Sequence, residues 1–293
     1  MNENYNAKKE MAEARLKELL TIKDTNPTLC SAMNYSVMAG GKRLRPVLNL
    51  MANSLLDGDN KESLDIACAM EMIHTYSLIH DDLPAMDNDE LRRGKPTNHV
   101  MFGEAFAILA GDALLNYAFE VMLANAEKYP SNTLNHIKAM QVVAKGSGVY
   151  GMVNGQCYDI ENEGQILTEK ELVYTHEHKT SALINAALLS GLLLCGPTNE
   201  QIKAVKTFGT NIGLSFQITD DILDITGDEK LLGKSIGKDK NAKKFTFPTL
   251  YGIEKCKKIA EEKTDEAIEC LQIFGDKSKD LCEIARKILT RNH

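Results

Sequence analysis

Apolar residues recur along this chain at three- and four-residue spacing, stretch after stretch, with almost no run of the two-residue alternation that marks a half-buried strand. The pattern predicts helices over 3–21, 27–38, 46–56, 62–83, 99–127, 132–161, 168–195, 198–228, 248–273 and 277–290. Breakers agree with these limits. Pro27, Pro46, Pro130, Pro197 and Pro248 fall at or near helix starts, where a missing N–H does no harm, and Gly40-Gly41, Gly58 and Gly196 fall just past helix ends. The fold class expected is all-α, a single-domain bundle of about ten helices. No Ser-, Pro- or Gly-rich linker divides the chain and no repeat of fixed period appears, so residues 1–293 read as a single domain.

Composition supports this. Of 293 residues, seven are proline and none is tryptophan, a mix that favours helix over strand. The net charge of −7 argues against nucleic acid or an anionic membrane surface as the main partner. The longest nearly apolar stretch, Ile184 to Cys195, is too short to cross a bilayer, so no membrane insertion is expected. The N-terminal MNENYNAKKEMAEARLKELL is charged throughout, unlike a signal peptide, and predicts a cytoplasmic protein. Seven scattered cysteines with no CxxC pair indicate neither a disulfide framework nor a zinc site.

Two acidic clusters change the picture. DDLPAMDNDE (81–90) holds Asp81, Asp82, Asp87, Asp89 and Glu90, and DDILDITGDE (220–229) holds another five carboxylates. Each ends a strongly apolar helix, where gathered like charges are costly unless a cation compensates them. Asp220, Asp221 and Asp224 converge on one helix face by their three- and four-residue spacing. Carboxylates without His or Cys nearby suit a hard ion such as Mg2+, which is commonly shared with substrate phosphates. Basic residues follow both clusters: Arg92, Arg93 and Lys95 after the first, and Lys230, Lys234, Lys238, Lys240, Lys243 and Lys244 after the second. Acid for metal beside base for phosphate is the combination a diphosphate substrate requires. A third segment, GGKRLRP (40–46), sets Lys42, Arg43 and Arg45 in a turn at a helix N-terminus, where N–H groups, helix dipole and side-chain cations favour an anion.

These segments, with EMIHTYSLIHDDLPAMDNDELRRGKPTNH (71–99), GQCYD (155–159), HKTSALI (178–184) and FQITDDILDITGD (216–228), resemble the trans-isoprenyl diphosphate synthases over essentially the whole chain, in motif order and spacing. The resemblance is specifically to the bacterial farnesyl diphosphate synthases and their short-chain geranylgeranyl relatives. It implies that Asp81, Asp82 and Asp87 face Asp220, Asp221 and Asp224 across the bundle and hold three Mg2+ around an allylic diphosphate. It implies that Arg92, Lys179 and Lys234 grip that diphosphate, with Lys244 close by, and that Lys42, Arg45, His74 and Arg93 bind isopentenyl diphosphate. Thr180 and Gln217 match polar residues beside the reacting carbons. Gln156 and Asp159 are expected to support the bundle interior, a lid is expected over 231–244, and the family habit implies a homodimer. His80 reads as a satisfied core residue.

Product length is read one to two turns before Asp81. Tyr76, five residues upstream and about 7.5 Å deeper, puts an aromatic ring in the path of the growing chain, and the smaller Ser77 leaves Tyr76 as the large stop on this stretch. In the family an aromatic at this position, together with the two-residue insertion in DDLPAMD, resembles the bacterial C15 enzymes, whereas C20 relatives tend to carry a smaller residue. A class I terpene cyclase would normally show an Asn/Ser/Glu-type second motif where DDILD stands here, and a catalytically silent partner subunit need not keep all six aspartates.

Overall fold

The structure, a computed structural model, describes residues 2–226 and 245–290. Lys234, Lys244 and the 231–244 segment lie outside these residues. The described chain runs α1 (Glu3–Leu19), α2 (Pro27–Val37), α3 (Leu44–Ser54), α4 (Asn60–Asp81), β1 (Leu91–Arg92), β2 (Lys95–Pro96), α5 (Asn98–Phe102), α6 (Glu104–Lys128), α7 (Thr133–Ser147), α8 (Met152–Glu161), α9 (Glu169–His176), α10 (Ala182–Leu193), α11 (Asn199–Thr226), α12 (Phe247–Tyr251), α13 (Ile253–Cys270) and α14 (Lys279–Leu289). The all-α expectation holds.

α4 and α10 form the centre. α10 is apolar all round, and Leu183 to Leu193 are buried except Asn185, as a helix enclosed by others requires. α4 is buried on most sides from Ser63 to Ile79, so it delivers the first aspartate pair to its C-terminal end from inside the bundle. α6 packs along α4, α3 and α7 pack on α10, and α13 packs on α11. One core cluster joins Leu16, Met33, Ile73, Leu114 and Leu183, and a second joins Val47, Leu188, Phe208, Leu271 and Ile284. All seven cysteines are free thiols.

Several boundaries differ from the periodicity. The 132–161 stretch is two helices, because Gly148 and Gly151 leave the helical region between α7 and α8 while the apolar spacing continues across them. The helix expected from 46 begins at Leu44, so Pro46 sits inside the first turn, where its missing N–H still costs nothing. α6 is long and apolar enough to cross a membrane by length and composition, although its apolar residues are interrupted by polar ones. It buries Ala107, Ala110, Gly111, Leu114 and Ala118, and leaves Ile108, Leu109 and Leu123 exposed.

Two local departures shape the site. Arg93 and Gly94, both at positive φ (54° and 73°), turn the chain between β1 and β2, the backbone that a tight two-residue hairpin demands. Residues Glu177–Ser181 form a π-helical turn between α9 and α10. The turn is clasped on both sides: a Cβ on Gly155 of α8 would lie 2.1 Å from the Lys179 backbone nitrogen, and one on Gly213 of α11 would lie 2.2 Å from Ser181 Oγ. Such bulges are frequent at functional sites, and this one carries Lys179 and Thr180.

Candidate active site

The first aspartate motif is a folded cap on the end of α4. Asp87 N–H donates to Asp81 O and Asp89 N–H to Asp82 O, drawing the loop back onto the helix terminus. Asp82 is buried, and its carboxylate accepts from Arg92 Nε at 2.9 and 2.8 Å and from Nη2 at 2.6 Å. Burial lifts the Asp82 pKa even so. Asp81 is pushed up to about 6 by burial, with repulsion from Asp87 and Asp82 adding to it and Lys179 opposing it.

The second motif lies on α11, with Asp221 and Asp224 buried and Asp220 half-buried. Thr180 Oγ1 donates to Gln217 Oε1 at 3.0 Å, Gln217 Nε2 donates to Asp221 Oδ1 at 2.9 Å, and Phe247 N–H donates to Asp221 Oδ2 at 3.2 Å. Three residues singled out from sequence, Thr180, Gln217 and Asp221, therefore stand in one hydrogen-bonded line. Lys179 Nζ lies 2.6 Å from Asp159 Oδ2, which gives Asp159 its part: it holds the lysine between the two motifs.

Two cavities meet at Lys179. One of about 100 Å³ is lined by Asp159, His176, Gln217 and Asp221. The other, about 370 Å³, has Asp81, Arg45, His74, Lys179, Thr180 and Gln156 as its polar lining, with Tyr76, Ser77, His80, Met152, Val153, Cys157 and Ile160 along the rest. The two motifs thus open onto adjoining space. Among the described residues no three His, Cys, Asp or Glu side chains stand close enough to hold an ion as they are. The donor set itself, six carboxylates without nitrogen or sulfur, suits Mg2+.

Arg45, His74 and Arg93 form a cationic cluster beside the larger cavity. Arg45 Nε is sealed from solvent with no hydrogen-bond partner. Burial lowers the Arg45 pKa to about 10, with Arg93 pushing the same way and Glu71 opposing. His74 is driven well below its ordinary value by burial first and then by Arg45, Arg93, Arg92 and Arg43, so it is neutral at neutral pH. An orphaned guanidinium nitrogen in a cluster short of negative charge fits an anionic ligand. Lys42 sits exposed in the turn before α3.

Arg43 does not serve as the turn cation that the sequence suggested. Its backbone takes a left-handed conformation (φ 53°), and its guanidinium turns inward to Glu71 Oε1 at 2.8 Å and Val37 O at 2.7 Å. Glu71 is the buried counter-charge beneath the arginines, a role missed from sequence. The available signal was a glutamate three residues before His74, set among apolar residues from Ile66 to Ile73. His80 is satisfied, as expected, through Ile108 O at 3.1 Å, yet it also lines the larger cavity.

The polyprenyl synthetase family model matches residues 26–286. The chain belongs to the polyprenyl synthetase family. A geranylgeranyl diphosphate synthase from Cyanophora paradoxa is 46% identical over 288 residues, covering 98% of this chain and 95% of that protein. A farnesyl diphosphate synthase from Geobacillus stearothermophilus is 42% identical over 289 residues, covering 98% and 97%. The solved geranyltransferase from Legionella pneumophila superposes with a TM-score of 0.88 at 36% identity, covering 98% of this chain and 96% of that one. This polyprenyl synthetase is accordingly a short-chain trans-prenyl diphosphate synthase, of a family that uses Mg2+ in diphosphate binding.

His176, flanking the π turn, yields a pH prediction. Its ring stacks on Phe247 and its Nε2 is sealed without a partner, and burial lowers its pKa from 6.5 to about 4. Between those values the unfolded chain holds a proton that the folded chain refuses, so His176 favours folding fully above pH 6.5 and progressively less toward pH 4. Relative to His176→Gln, the wild type is expected to lose about 2 kcal/mol over that interval, the full linkage being discounted for the residue's partial exposure. Urea melts of both proteins at a series of pH values check this. Asp81, with its raised pKa, tilts the opposite way, so the comparison with the variant, not the wild-type slope, is the readout.

Proposed function

We propose that this enzyme condenses isopentenyl diphosphate with dimethylallyl and then geranyl diphosphate, each step breaking the allylic C–O bond, forming one C–C bond and releasing diphosphate and a proton, with farnesyl diphosphate as the main product. The observation that carries the reading is the larger cavity, which runs from Asp81, Lys179 and Thr180 to the buried Tyr76 ring. Asp81, Asp82 and Asp87 on one side, and Asp220, Asp221 and Asp224 on the other, would hold Mg2+, three ions by family resemblance. The metal's contribution when bound is to offset charge on the departing diphosphate.

The chain's own groups do the rest. Lys179, released from Asp159, and Arg92, held by Asp82, supply cations to the allylic diphosphate, with Lys234 and Lys244 assigned to the same task. Arg45, His74, Arg93 and Lys42 hold the homoallylic diphosphate, so that its double bond meets the allylic carbon at near-attack distance. His74, kept neutral, donates or accepts a hydrogen bond there without adding charge. Thr180 and Gln217 are fixed against each other beside the reacting carbons, and Met152, Val153, Cys157 and Ile160 give the cavity an apolar side along which the hydrocarbon would lie. The unit of function is one domain over 1–293 acting in the cytoplasm as a homodimer, for which the exposed Ile108, Leu109 and Leu123 face of α6 offers an apolar surface.

Tyr76 is the test of product length. Wild-type enzyme is expected to give C15, and Tyr76→Ala to give C20 or longer products, measured by chain-length analysis after incubation with excess isopentenyl diphosphate. C15 from the variant would remove Tyr76 as the floor. A C20 wild-type product is the second reading, favoured by relatives at 46% identity that are named geranylgeranyl diphosphate synthases.

A further inference from the structure

The wall of the hydrocarbon cavity contains a second ring that neither motif accounts for. His80 lies four residues after Tyr76, so both side chains project from one face of α4. Their rings meet edge to face, with centroids 5.8 Å apart at an interplanar angle of 77°. Both line the same cavity.

What fixes the His80 ring comes from α6. Its Nε2 lies 3.1 Å from Ile108 O and 3.9 Å from Asp112 Oδ1. The ring occupies the gap left at Gly111: a Cβ there would lie 2.0 Å from His80 Nε2, 2.5 Å from Cδ2 and 2.8 Å from Cε1. No alanine at 111 is compatible with the ring where it stands. The absence of a side chain at one position of α6 thus decides where an imidazole sits on α4, and the imidazole abuts the tyrosine.

We propose that His80, seated over Gly111, is a positioning residue that braces the Tyr76 ring and so sets product length together with it. The inference rests on Tyr76 as the cavity floor. A phenol ring beside some 370 Å³ of open space has room to swing when a growing chain presses on it. An edge-to-face partner biases such a ring toward one orientation by about fivefold. The partner here is itself tied to a backbone carbonyl on a different helix, so the brace does not move with α4 side-chain rotation alone.

The experiment compares product length, normalised to total turnover, for wild type, His80→Ala, Gly111→Ala, the His80→Ala/Gly111→Ala double variant and Tyr76→Ala. His80→Ala is expected to add product one isoprene unit longer than the wild-type main product. Gly111→Ala displaces the ring from α6 toward the cavity and is expected to shorten the product. The double variant, with no ring left to displace, is expected to show the His80→Ala pattern. An unchanged product from His80→Ala alongside a longer one from Tyr76→Ala overturns the brace and leaves the floor intact. Unchanged products from both overturn the floor, and the brace with it. Should Gly111→Ala fail to fold, the His80→Ala and Tyr76→Ala pair still decides.

Discussion

Asp81→Asn is expected to slow turnover by about 10³-fold while leaving the ligand-free protein as stable as the wild type or more so. The two effects share one cause. In the folded chain the Asp81 carboxyl is raised from 3.8 to about 6, chiefly by burial, with Asp87 and Asp82 adding to it. A group so raised favours folding below its unfolded value and opposes it as pH climbs through 6, so at neutral pH the ionised carboxylate is a burden on the ligand-free fold. Asparagine removes that burden, about 1–2 kcal/mol after allowance for partial exposure. It also removes a carboxylate that would hold a cation, and with it part of the charge stabilisation that cation would supply to the departing diphosphate. Thermal melts and steady-state kinetics on the same preparation check both halves. Lower stability together with near wild-type turnover would show that Asp81 is a structural carboxylate.

Glu71→Gln is expected to destabilise the fold by about 3–5 kcal/mol, the range for breaking a buried ion pair from one side. The Glu71 side chain is 2% exposed and the Arg43 side chain 1%, at 2.8 Å. Glu71 also opposes the lowering of the Arg45 and Arg93 pKa values, so its loss leaves three arginines with less compensation. Replacing both Glu71 and Arg43 by methionine is expected to cost less, because Arg43 is then not left buried without its counter-charge and only Arg45 and Arg93 lose compensation. Urea unfolding of the single and double variants measures the difference. A single-variant cost under about 1 kcal/mol would mean that solvent reaches this pair.

The contrast between Arg43 and Arg45 shows where sequence reading ends. GGKRLRP identifies a cationic turn at a helix start, and the structure does place Arg45 beside His74 and the cavity. Which of two nearby arginines pairs with Glu71 depends on the left-handed backbone at Arg43, which no local spacing encodes. The hairpin escaped for a related reason: strands of two residues are too short to show alternation, and the Arg93-Gly94 turn is masked by surrounding charge. Gly148 and Gly151 ended a helix within an unbroken apolar rhythm, so periodicity alone ran α7 and α8 together. The π turn at 177–181 is set by the close passage of α8 and α11 at Gly155 and Gly213, a tertiary cause.

What was legible is what chemistry confines to short motifs. Asp81 closes α4, the loop after it folds Asp87 back onto that terminus, and Asp220, Asp221 and Asp224 share α11. Thr180 on the π turn and Gln217 and Asp221 on α11 come from two separate motifs, and they are hydrogen-bonded in series. Glu71 and His80 stood in plain view within the same motif, but their functions lie in partners at the start of α3 and on α6 that a single helix cannot reveal.

The most direct test is incubation of the purified chain with dimethylallyl diphosphate, excess isopentenyl diphosphate and Mg2+, with and without EDTA, followed by product chain-length analysis. C15 as the main product, abolished by EDTA, is the result expected of a metal-dependent condensation closed off by Tyr76. No elongated product from folded protein, or elongation that persists in EDTA, would contradict it.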